Sequence, residues 1–146
     1  MRMRSRYAVP TGVLLLAVLV SACGGSEAER LLRKSEQIPA LHEFGSLFVP
    51  LYEEAMADSN WAPVRAQLRE LERLKNEVTA LDCPENRTLA QREWERNQNL
   101  LARGVGFLNV ALGAQADSTT RQQQEDIVTG MQGVYDWWVE LVRFLR

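Results

Sequence analysis

The sequence predicts an all-α fold: an antiparallel, up-down-up-down four-helix bundle with a kinked first helix, preceded by a signal peptide. Three observations carry this reading. Apolar residues recur at steps of three and four along most of the chain after residue 26. No alternating Val/Ile/Thr run calls for a strand. The periodic segments are joined by breaks of a few residues, which favours antiparallel neighbours. Of the 146 residues, 46% are hydrophobic and 25% charged, a soluble globule's balance that excludes a disordered tail or a polytopic membrane protein.

Residues 1–22 carry a targeting pattern. Arg2, Arg4 and Arg6 form a basic head, and no acid precedes Glu27. The apolar centre, Val13 to Val20, is only eight residues long, against the ~20 that span a bilayer as a helix. Small residues follow, so the segment reads as an export signal.

Its end is Val20-Ser21-Ala22-Cys23, followed by Gly24-Gly25-Ser26. This resembles the lipobox of bacterial lipoproteins: an aliphatic residue, two small ones, then the cysteine that is lipidated. The resemblance covers only the first 25 residues or so. It implies a diacylglyceryl thioether on Cys23, cleavage between Ala22 and Cys23, and acylation of the new N-terminus by a palmitate-type chain. Two or three acyl chains make a stable anchor where one is marginal. By resemblance to the enteric sorting rule, Gly rather than Asp at position 24 implies the periplasmic face of the outer membrane. The organisation expected is therefore a removed signal at 1–22, a lipidated cysteine and tether at 23–26, and a helical domain at 27–146.

Removal of Arg2, Arg4 and Arg6 takes Lys+Arg from 17 to 14 against 19 Asp+Glu, a mature net charge of −5. Such a body has no charge-based affinity for nucleic acid.

In the domain, Glu27 to Gln37 is expected to form a short helix ending before Pro39. The first bundle helix then carries Leu41, Phe44, Phe48, Leu51 and Ala55 on one face, with a kink expected at Pro50. A turn at Ala57-Asp58-Ser59-Asn60 offers Ser59 or Asn60 as N-cap for a second helix through Trp61, Val64, Leu68, Leu71, Leu74, Val78 and Leu81. Asp82-Cys83-Pro84 is expected to end it and open a third, with Pro84 near its first position and Glu85 favourable to the helix dipole. That helix places Trp94, Leu101, Val105, Leu108 and Leu112 on one stripe, interrupted by Asn97 or Gln98, with Gly104, Gly106 and Gly113 permitting close contact. After a turn at Ala116-Asp117-Ser118-Thr119, the last helix runs on Ile127, Met131, Val134, Trp138, Leu141 and Leu145.

Catalytic constellations are not expected. A di-iron bundle needs two Glu-x-x-His pairs, whereas His42 is the sole histidine. Cys-x-x-Cys-His and Gly-x-Ser-x-Gly are absent, and Gly104-Val105-Gly106 lies in a helical pattern rather than after a strand. No metal or cofactor is therefore expected. Charge clusters such as Arg92-Glu93 and Glu95-Arg96 read as a solvated helix face. Cys83 loses its only intramolecular partner if Cys23 is lipidated, which leaves a packed thiol or an intermolecular disulfide. Trp137 and Phe144, seven residues apart on an unusually apolar last helix, are the candidate contact for a protein partner or a second copy. The function expected is a non-enzymatic adaptor, assembly or accessory role by protein contact. The alternative is a carrier of an apolar ligand in a cavity lined by aromatic and glycine positions.

Overall fold

A computed structural model describes residues 26–113 and 120–146. They form six helices: α1 (Glu27–Ser35), α2 (Pro39–Asp58), α3 (Ala62–Ala66), α4 (Leu68–Thr79), α5 (Thr88–Gly113) and α6 (Arg121–Arg143). No strand occurs among the described residues. The export signal, Ala22, Cys23 and the 116–119 turn lie outside the described residues.

Ser26 is the N-cap of α1, its side chain accepting from the Glu29 amide at 3.3 Å. Glu27 and Glu29 sit in the first turn, Arg33 and Lys34 in the last, each with the sign the helix dipole favours. Past α1, Pro39 opens α2, which continues without interruption through the exposed Pro50. Ser59 ends α2 in the left-handed region at φ 50 rather than starting the next helix. Neither expected residue is the N-cap: that position is Trp61, without a side-chain cap bond, while Asn60 Oδ1 accepts from the Ala62 amide at 3.2 Å one residue further out.

Two expectations are corrected. The second predicted helix is two helices, α3 and α4, divided at Gln67. The Gln67 amide bonds to Val64 three residues back at 3.0 Å, tightening the turn while Val64, Leu68 and Leu71 stay buried. The third predicted helix opens at Thr88, not at Pro84. Pro84 to Arg87 form a loop in which Glu85 pairs with Arg87 instead of facing a helix end. A tightened turn and a short loop leave the apolar period intact, so neither break shows in it.

One hydrophobic cluster runs through the molecule, with Phe44, Phe48, Leu101, Leu108, Met131 and Trp138 among its fully buried members. α2 packs on α4 and α6, and α5 packs on the same two; α1 lies against α2 and α6. The pairings run in opposite numerical order. Trp138 bonds to Leu41 and Tyr135 stacks on Tyr52. Trp94 meets Phe144 edge-on, while Gly104 stands beside Val134 and Gly130 beside Leu108. Gln98 reaches Val78, and Arg65 reaches the Leu112 carbonyl.

Candidate interaction surface

α5 has two unlike faces. At about 100° per residue, Trp94, Leu101, Val105, Leu108 and Leu112 fall on one side, and none is more than 1% exposed. Roughly opposite lie Leu89, Arg92, Arg96, Asn99, Arg103, Phe107 and Val110, all exposed. Leu89, Phe107 and Val110 are 74%, 44% and 75% exposed, and they are the large apolar side chains that face solvent among the described residues. All three stand on this single row.

Between them, a shallow groove of about 410 Å³ is lined by Arg92, Glu95, Arg96, Asn99, Leu100 and Arg103. None of the three arginines lies within 4.0 Å of a carboxylate oxygen among the described residues. Some other surface cations are paired: Arg73 bridges Glu70 and Glu77, Arg121 meets Glu125, and Arg143 meets Glu140, whereas Arg30, Arg33 and Arg69 also lack a carboxylate within 4.0 Å among the described residues. Hydrogen bonding to Arg73 holds the Glu70 carboxyl below its usual range.

The inner side of α5 is fixed by polar bonds as well as packing. Gln98 Nε2 donates to the Val78 and Leu81 carbonyls at 2.7 and 2.9 Å, and Trp94 Nε1 donates to Leu81 at 3.2 Å. These side chains add donors to carbonyls at and just past the end of α4, where the Val78 carbonyl otherwise has only the Leu81 amide at 3.2 Å. Asn97 and Gln98, which interrupt the apolar period, are both buried. Gln98 is thus a cap supplied by a neighbouring helix.

The other sequence-derived candidates lie on the α4–α5 loop and at the C-terminal part of α6 and beyond it. Phe144 is half-buried against Trp94 and closes a groove of about 630 Å³ with Glu85, Arg87, Leu89, Glu93, Glu140 and Arg143. Arg87 holds the Glu85 carboxyl below the usual carboxylate range, chiefly by hydrogen bonding, with Arg146 adding to it. Trp137 is half-buried, packs against the core cluster and is not part of that groove. Cys83 carries a free thiol and is half-buried in the α4–α5 loop, beside a separate depression with Asp82, Asn86 and Gln98.

His42 lies apart from Cys83, lining a depression with Glu43, Ser46 and Arg73. Its Nδ1 is 3.1 Å from the Leu32 carbonyl and 3.2 Å from Ser35 Oγ, and its Nε2 is 3.3 Å from Ser46 Oγ. That ring joins the end of α1 to α2. Among the described residues, no group of three or more His, Cys, Asp or Glu is placed to hold a metal ion, and no helix is long and apolar enough to cross a membrane.

No family model, curated protein or solved structure matches this chain. Its surface therefore carries the functional argument alone.

Three glycines are occupied by neighbours. A Cβ at Gly45 would lie 2.3 Å from Trp138 Cζ2, at Gly104 2.9 Å from Val134 Cγ2, and at Gly130 2.8 Å from Leu108 Cδ2. Gly106, Gly113 and Gly133 have open space beside them. The first three serve close packing.

Read as adjacent opposite charges, Arg92-Glu93 and Glu95-Arg96 hide the exposed α5 row. Its signal is periodic: Leu89, Arg92, Arg96, Arg103, Phe107 and Val110 share one helical face, opposite the buried stripe.

Proposed function

We propose that this chain is a periplasm-facing bacterial lipoprotein, an antiparallel four-helix bundle held at the outer membrane through Cys23, that works by protein contact. The opposed numerical order of the α2–α6, α5–α6 and α4–α5 pairings supports the up-down-up-down arrangement. Pro50, which donates no amide bond, is the place for a bend in α2. The leader, the lipobox and the helical body together support one anchored domain.

The observation that carries the contact role is the single row on α5. A domain that buries or half-buries its other described large apolar side chains yet leaves Leu89, Phe107 and Val110 on one helix face has an unfinished surface there. The filled contacts at Gly45, Gly104 and Gly130 favour this over ligand carriage within the helices.

The anchoring half is tested by expression of the full chain in a Gram-negative host. The processed protein is expected to partition into detergent and to carry a diacylglycerol-sized mass increment, both lost in Cys23→Ser. If the Cys23→Ser protein stays membrane-bound at an unchanged processed mass, the lipoprotein reading is wrong.

A further inference from the structure

Resting on that contact reading, we infer that the outer face of α5 docks an acidic amphipathic segment of another envelope protein, with carboxylates over Arg92, Arg96 and Arg103 and apolar side chains on Leu89, Phe107 and Val110. In a mature chain of net charge −5, three arginines without a carboxylate partner among the described residues stand on one exposed row. Along the helix axis they are separated by about 6 and about 10 Å, and the whole row from Leu89 to Val110 spans about 32 Å. An arginine fork matches a carboxylate in two-point geometry. The row thus specifies its partner: apolar at both ends, acidic between, and about 20 residues long if helical. Apolar contacts at the ends supply burial, while the arginines set register and exclude basic or neutral segments.

Two other occupants fit less well. A closed two-fold pair through this face brings the same patch of both copies together, so it stacks arginine rows against each other. A lipid surface is disfavoured by the position of α1, the helix nearest the anchor in sequence. α1 packs on α2 and α6 and makes no contact with α5 among the described residues. Its first residues lie on the Tyr135 side of the molecule, where the Glu27 charge acts on that phenol. Three residues of chain from Cys23 to Ser26 reach at most about 11 Å.

The test places a photo-cross-linking amino acid at Asn99, in the centre of the row, and separately at Gln132 on α6, in the full lipidated chain inside living cells. The adducts are digested and sequenced by mass spectrometry. The inference expects a protein adduct at Asn99 whose cross-linked segment carries at least three Asp or Glu between apolar residues. It also expects at least a tenfold loss of that adduct in Arg92→Glu/Arg96→Glu/Arg103→Glu. Lipid adducts, adducts to a second copy, a neutral or basic segment, or no adduct at Asn99 would each overturn it. A protein adduct at Gln132 with none at Asn99 keeps the contact reading and removes this inference; none at either position removes both.

Discussion

Trp138 Nε1 donates to the Leu41 carbonyl at 3.0 Å, joining residues 97 positions apart, and the indole lies where any side chain at Gly45 would have to be. The α2–α6 seam depends on the missing Cβ. Gly45→Ala gains up to ~1 kcal/mol of helix propensity. It also drives a Cβ to 2.3 Å from a fully buried ring. Overpacking of a dense core costs roughly 1–3 kcal/mol or more, so the net change is expected to be destabilising. Urea denaturation checks it, and a stabilised Gly45→Ala protein would show the seam to be loose.

Gly106→Ala and Gly133→Ala are expected to have the opposite sign. Neither new Cβ meets an atom within 4 Å, so each substitution should add about 0.5–1 kcal/mol through helix propensity alone. A loss of stability at either position, measured in the same denaturation series, would mean the helix surface there is already occupied.

Gln98→Leu keeps the volume near the α4–α5 junction but removes the donors to Val78 and Leu81. The Val78 carbonyl keeps the Leu81 amide and the Leu81 carbonyl keeps Trp94 Nε1, so the cost is that of two lost hydrogen bonds, about 1–3 kcal/mol. Amide exchange should quicken in the last turn of α4 before it does so in α6. Unchanged protection in residues 78–81 would contradict the capping role.

These side chains mark how far the sequence could be read. The buried rows of α5 and α6 and the end of α1 before Pro39 follow from apolar period and proline chemistry. Leu71 and Leu108, central in that reading, are 1% and 0% exposed, and Leu→Ala at either should cost about 2–5 kcal/mol. The division at Gln67 was not legible, because an amide bonding three residues back rather than four leaves the apolar spacing unchanged. Gln98 showed only as an interruption of the stripe, since its partners lie on another helix. The exposed α5 row is present as periodicity, but the adjacent opposite charges of Arg92-Glu93 and Glu95-Arg96 obscure it.

Tyr52 and Tyr135 stack at 4.6 Å, and both phenols are raised above 10.0. For Tyr52 the causes are burial and then Asp136; for Tyr135 burial leads, followed by Glu27 and Glu53. A raised native value means the folded state keeps its proton longer than the unfolded one. Stability is therefore full below about pH 10 and falls as pH rises through the folded values. Absorbance at 295 nm should show phenolate appearing above pH 10.0 in the folded protein and near ~10 in urea. Coincident curves would contradict the burial.

The central claim is that the outer face of α5 is where this protein meets a partner, and one measurement reaches it most directly. The full-length chain and its Leu89→Ser/Phe107→Ser/Val110→Ser variant are extracted from membranes in mild detergent and compared by sedimentation velocity. All three positions are exposed, so the melting temperature should stay within about 3 °C. The account predicts that the unsubstituted protein sediments in a complex with another protein and that the variant sediments alone. A complex that survives all three substitutions, or an unsubstituted protein that is already alone, would contradict it.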